Sequence, residues 1–201
     1  MAQEATAVDY GPLSGLIGRW EGDKGLDVAP EPDGSEESPY YETILFEPIG
    51  TVTNAERQTL AAVRYHQVVR RKSDDEVFHN ETGYWCWDAA SRTVMVSFAI
   101  PRAVCVIAGG QVAGRSGPDE ATVIEVAAHA DEGDWRVIQS PFMSANARTI
   151  EFRRRLSYRE DSLIYSQTTI VDIYGKRFEH TDENELRRVA TTTDASGTVR
   201  E

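Results

Sequence analysis

The side chains here that could do chemistry are few and scattered. Four histidines, His66, His79, His129 and His180, stand far apart, and no two have the His-x-x-x-His spacing that puts a pair on one helix face for a metal. Cys86 and Cys105 lie singly in apolar, strand-like runs. They form neither a disulfide framework nor a zinc motif, and they read as reduced core residues of a cytoplasmic protein. There is no Gly-rich phosphate loop, and Ser14 in Leu13-Ser14-Gly15 lacks the flanks of a nucleophile elbow. Arg153-Arg154-Arg155 alternates across a strand, so Arg154 faces one way and its neighbours the other. An inward arginine could hold a ligand carboxylate; outward ones would balance the many acids. Trp85 and Trp87 share one strand face. With Met95, Phe98, Ile100, Phe142 and Met143 they suit a porphyrin or lipid, or simply a core.

Composition narrows the partners. The chain has 201 residues, 40% apolar and 27% charged, enough for one domain with a sizeable core. A net charge of −12 argues against nucleic acid, which needs a basic face, and against docking on anionic membrane. The first 22 residues have no basic start and no long apolar run, unlike a signal peptide, and no stretch approaches the roughly 20 apolar residues of a spanning helix.

The elements that must position these residues are strands. Runs of period-two alternation cover residues 40–46, 62–69, 77–87, 93–100, 104–112, 121–128, 149–158 and 162–174. Breaks fall at Asp88-Ala89-Ala90-Ser91, Gly109-Gly110, Ser116-Gly117-Pro118-Asp119 and Arg159-Glu160-Asp161. Ala29 to Pro39 reads as a solvated loop, Asn54 to Leu60 as a short helix or irregular loop, and Ser140 to Ala147 as a loop over a barrel mouth. Leu13 to Gly18 predicts a helical turn. Residues 1–10 and 190–201 read as flexible termini around a single domain of residues 11–189.

Many short strands without alternating helices mean a sandwich or a barrel. Gly18-Arg19-Trp20-Glu21-Gly22 favours the barrel: an indole can plug one end, the glycine lets the chain turn into the strand, and Arg187 or Arg188 could stack on the ring. Leu13 through Gly25, Tyr41-Glu42-Thr43-Ile44-Leu45-Phe46, His79-Asn80-Glu81-Thr82-Gly83-Tyr84-Trp85, Arg155-Leu156-Ser157-Tyr158, Asp161-Ser162-Leu163-Ile164-Tyr165 and Leu186-Arg187-Arg188-Val189 occur in the order seen in one family. From about Gly11 to Val189 the chain resembles the nitrobindin-like haem-binding barrels.

That resemblance implies an all-β, antiparallel up-and-down barrel of about ten strands, similar to fatty-acid-binding proteins and lipocalins. It implies ferric haem b held by one histidine just before the last strand, with nitric oxide binding and peroxynitrite isomerisation at the iron. His180 matches that histidine, though its spacing to Arg187 is one residue longer, and one residue reverses a strand side chain. Gly18, Trp20 and Gly22 of the opening motif and His79 and Thr82 of the third join it as expected cofactor-binding residues; His79, beside Glu81, reads by itself first as structural. The competing expectations are a haem-free carrier of a lipophilic carboxylate and a filled barrel without a cavity. The partner is a small apolar ligand or haem, and the oligomeric state is open, a dimer included.

Overall fold

From Gly18 onward the chain sends alternate side chains to opposite sides, and a sheet patterned this way must bury one face or close on itself. It closes. The computed structural model describes residues 7–112 and 120–190. Its strands are β1 (Gly18–Glu31), β2 (Gly34–Asn54), β3 (Gln58–Arg71), β4 (Val77–Asp88), β5 (Thr93–Ile100), β6 (Val104–Gln111), β7 (Thr122–His129), β8 (Arg136–Gln139), β9 (Ala147–Arg159), β10 (Ser162–Ile173) and β11 (Lys176–Val189). They run around a closed barrel in the order β1-β11-β10-β9-β7-β8-β6-β5-β4-β3-β2. All neighbours pair antiparallel except β7 and β8, which share one parallel bridge, His129 with Arg136.

The all-β barrel is as the sequence implies, with eleven strands where about ten were expected. The four-residue β8 is too short to show a period. Three other segments differ from expectation. Ala29 to Pro39 is a continuing hairpin, because Ala29 pairs with Glu36 and Pro30 with Ser35; its polar side chains have water on both faces, so no apolar alternation marks it. Asn54 to Leu60 holds a three-residue turn, Ala55 to Arg57, with Ala55 and Glu56 at positive φ (48° and 57°) and without the Asn-Gly that usually announces such a backbone. Ser140 to Ala147 contains the helix α1 (Pro141–Asn146), begun by Ser140, whose Oγ accepts the Met143 N–H at 3.3 Å. The expected turn at Ser116–Asp119, and residues 1–6 and 191–201 of the expected termini, lie outside the described residues.

One end is plugged by the predicted motif. A 3₁₀ turn, Gly11–Leu13, leads in and sets Leu13, Leu16 and Trp20 into the barrel with no exposed surface. The Trp20 indole N–H donates to the Leu16 carbonyl at 2.7 Å. Arg188, rather than Arg187, covers the ring, its guanidinium carbon 4.2 Å from the centroid. The same guanidinium donates to the carbonyls of Gly15 (2.7 Å), Ile17 and Glu160, while Nε pairs with Asp161 at 3.0 Å. Gly18 turns the chain here at φ +128°, and a Cβ on it would lie 2.9 Å from Arg188 Nη1. Cys86 is partly buried, but Cys105 is exposed on the outer face, which corrects its reading as a core residue.

Arg188→Ala is expected to lower stability by about 2–4 kcal/mol, the stacking together with several hydrogen bonds to carbonyls. Arg188→Lys should recover less than half of that, since an ammonium cannot stack and fork at once. Urea unfolding followed by tryptophan fluorescence measures both; a wild-type midpoint for the alanine variant would mean that Arg188 does not hold the plug.

Candidate functional site

Beyond the plug, inward positions that the pattern reserves for apolar residues are polar. Arg154 points into the barrel from β9, only 5% exposed, and meets Glu81 of β4, 1% exposed. Nη1 lies 2.7 Å from Glu81 Oε1 and Nη2 3.0 Å from Oε2, a two-point fork. Gln167 accepts from Arg154 Nε at 2.9 Å, and the Tyr65 hydroxyl donates to Glu81. The Phe98 and Phe152 rings pack 5.1 and 5.2 Å from the guanidinium. Burial alone would raise the Glu81 carboxyl, but Arg154 and His79 hold it well below the usual carboxylate range. The space left between Ile44, Tyr65, Trp85 and Arg154 is about 10 Å³, room for one water.

Next to this pair lies a second cluster, two carboxylates with no arginine or lysine hydrogen-bonded to either among the described residues. Glu42 of β2, 2% exposed, accepts from Gln67 Nε2 and Asn184 Nδ2, both at 2.7 Å. The Tyr165 hydroxyl sits 3.3 Å from Glu42 Oε2 and 3.2 Å from Asp182 Oδ1, and 2.7 Å from the Tyr40 hydroxyl. Tyr40 in turn donates to Asp182. Gly25 makes room for the Tyr40 ring, because a Cβ there would occupy the same space. Burial first, and Asp182 second, push the Glu42 carboxyl up to about 8, so it carries a proton at neutral pH. Burial also raises Asp182, with Asp27 adding and the Tyr40 hydrogen bond opposing.

The far end is open. Up to Tyr165, β10 alternates buried and exposed; from residue 167 to 173 every side chain is half-buried, so both faces of the strand reach solvent. His180 stands at this mouth. The β10–β11 register is unbroken from Ile173 with Lys176 to Ser162 with Arg187, so His180 keeps the parity of Asp182, Asn184 and Leu186 and faces inward. Against β1 the register of β11 does shift, with one extra residue in β1 between Gly22 and Leu26. Across the inner face His180 is followed by Thr169, Phe152 and Ala128. Its Nε2 lies 2.7 Å from Asp27 Oδ1. Burial would lower the His180 pKa, but Asp27, with Asp182 behind it, more than offsets this and raises it.

The other expected site residues are placed as follows. His79 faces inward near this mouth, Nε2 3.4 Å from Glu81 Oε2, and is a partner of the buried ion pair. Thr82 lies on the outer face, its hydroxyl on the Tyr65 carbonyl, so it does not line the interior as expected. Gly18 and Trp20 belong to the closed end: Trp20 pairs with Arg188, eight residues along β11 from His180, roughly 26 Å at strand rise. They position the fold and not a ligand beside His180. Gly22 sits at the β1 bulge, opposite Glu42 and Leu186. His66 is on the outer face, bonded to Asn80, and His129 is half-buried at the end of β7. Among the described residues no three His, Cys, Asp or Glu side chains are placed to hold a metal ion. Sequence reasoning missed Asp27, Tyr40, Glu42, Tyr165 and Asp182 as site residues. The signal available was a polar residue at an inward period-two position.

A carboxyl raised in the folded state stabilises the fold fully below its unfolded value, 4.5, and that contribution is lost as pH rises through about 8. Stability is therefore expected to fall from about pH 5 to pH 8, and Glu42→Gln to make the slope shallower by roughly 1.4 kcal/mol per pH unit, one proton's worth. Urea midpoints across this range measure it; an unchanged slope in the variant would show that Glu42 is ionised throughout.

The comparisons fit this geometry. The crystal structure of Rv2717c from M. tuberculosis superposes with a TM-score of 0.63 over 89% of this chain and 95% of that one, at 20% identity, a likeness of fold. No curated protein matches the chain. Residues 9–188, which hold the plug, every strand but the last residue of β11, and both polar clusters, match one family model, and the chain belongs to the THAP4-like, heme-binding beta-barrel domain family.

Proposed function

We propose that the open mouth of the barrel binds ferric haem b through His180, and that the iron binds nitric oxide and handles peroxynitrite. The observation that carries this reading is the placement of His180: inward, half-buried, and seated at the end where the inner face is open to solvent. The family supplies haem as the ligand class. The mouth is where the residues fit the group: His180 offers an inward imidazole there, while the deeper space between Ile44, Tyr65, Trp85 and Arg154 is about 10 Å³, room for one water. A carboxylate on a ligating imidazole is the usual supporting partner, and Asp27 has that position.

When bound, haem would supply an iron with one position free for a small molecule. The chain's own part is to hold and orient the imidazole and to keep the floor dry. Asp27 holds Nε2, so ligation needs Nδ1 or release of Nε2, and it needs the imidazole neutral. Because Asp27 raises the His180 pKa, haem affinity should increase as pH rises through that raised value. For the alternative, a haem-free carrier whose carboxylate is held by Arg or Tyr side chains, Arg154 is not a free donor, because both its terminal nitrogens are on Glu81. Cytoplasmic location belongs to the same proposal.

An absorbance titration with ferric haem, wild type beside His180→Ala, tests it. The wild type should give a saturable Soret shift that strengthens from pH 6 to 8, and the variant should lose it. A wild type without a saturable shift, or a variant that binds equally, would contradict the assignment.

A further inference from the structure

Arg71 ends β3 at the same open mouth, and its side chain is only partly used. It stands directly opposite Tyr40 in an unbroken register, so the two side chains share the inner face. Its guanidinium carbon lies 5.3 Å from the centre of the Phe78 ring, and Phe78 meets Tyr40 edge to face at 6.1 Å. Nη1 takes both acids of the β3–β4 hairpin, Asp74 Oδ2 at 2.9 Å and Glu76 Oε2 at 3.3 Å. The other edge of the fork makes no hydrogen bond among the described residues. Nε is buried without a hydrogen-bond partner, and Nη2 has none among the described residues.

A buried donor without an acceptor is costly and uncommon, and at a ligand site it marks where an acceptor belongs. Nε and Nη2 together present the edge that a carboxylate grips with two parallel hydrogen bonds, and the aromatic platform holds that fork in one plane. Of the other arginines, Arg154 is held by Glu81 and Arg188 by the plug, while Arg102, in the turn between β5 and β6, lies on the His180 side of the mouth. We propose that the Nε–Nη2 edge of Arg71 holds the carboxylate of the ligand in the mouth, either a porphyrin propionate or the headgroup of a fatty acid. The inference rests on the mouth being a ligand site. The charged groups facing Arg71 are Asp74 and Glu76 on its Nη1 edge and Glu36 of β2, with Asp182 behind Tyr40. All are acids, so removing one should favour an incoming carboxylate.

The experiment titrates wild type, Arg71→Gln, Arg71→Lys and Glu76→Gln with ferric haem, with haem dimethyl ester and with palmitate, reading Soret absorbance and tryptophan fluorescence. Arg71→Gln should weaken the free-acid ligand about tenfold or more, the lysine variant less, and neither should change the affinity of the ester. Glu76→Gln should tighten the free acid a few-fold. If Arg71→Gln fails to fold, the comparison of acid with ester on the wild type and the Glu76→Gln variant decide. Loss confined to haem identifies a propionate; loss confined to palmitate identifies a fatty acid and removes the haem reading while keeping this one. Equal binding of acid and ester, or no effect of Arg71→Gln on either acid, would overturn the proposal, with Nε then serving a bound water. Haem binding that needs His180 but ignores Arg71 would leave the haem reading standing and remove this inference alone.

Discussion

Closing a sheet into a barrel puts every inward side chain into one shared, low-dielectric interior, and a charge placed there must be matched inside it. Arg154 is that charge. Glu81 neutralises it at two points, Gln167 and Tyr65 satisfy the remaining polar atoms, and Phe98 and Phe152 pack against the guanidinium. Removing either partner alone would leave a buried charge, which costs about 3–5 kcal/mol in comparable pairs. The pair therefore ties β4 to β9 across the barrel and sets the depth below which no large ligand can enter.

The two ends follow from what each strand offers beyond that pair. At one end Leu13, Leu16 and Trp20 fill the bore, and Arg188 seals it with stacking and carbonyl hydrogen bonds. At the other end the inward residues of β10 and β11 are half-buried, and the carboxyl pair of Glu42 and Asp182 forms a polar floor joined through Tyr165 and Tyr40. Glu42 is buried beside Asp182, which makes ionising both costly, so this floor holds a proton at neutral pH. His180, Asp27 and Arg71 stand around it.

Much of this was legible in the sequence. Period-two runs and turn residues marked most strands, and the Gly18-Arg19-Trp20 opening with the Leu186-Arg187-Arg188 close foretold the plug and its stacked arginine. His180 was singled out by its place ahead of Leu186-Arg187-Arg188, and it lies within the last strand rather than before it. Its direction was not legible, because facing depends on where the register slips, and the slip lies in β1 rather than beside the histidine. The floor was hidden for a different reason. Glu42, Gln67, Glu81, Asp182 and Asn184 read in one dimension as ordinary solvated residues. They become enclosed only because four strands, β2, β3, β4 and β11, converge, and each residue's partner comes from another strand. Thr82 misled in the opposite sense, since its motif is inward at Glu81 and Gly83 and outward between them.

The central claim is that the ligand sits at the His180 end of the barrel. Amide hydrogen exchange, with and without saturating ferric haem, tests it most directly. The account predicts added protection in residues 167–173 of β10 and 176–182 of β11, with residues 11–20 of the plug unchanged. Protection centred on the plug, or on the outer wall around Tyr84 and Ile107, would contradict it.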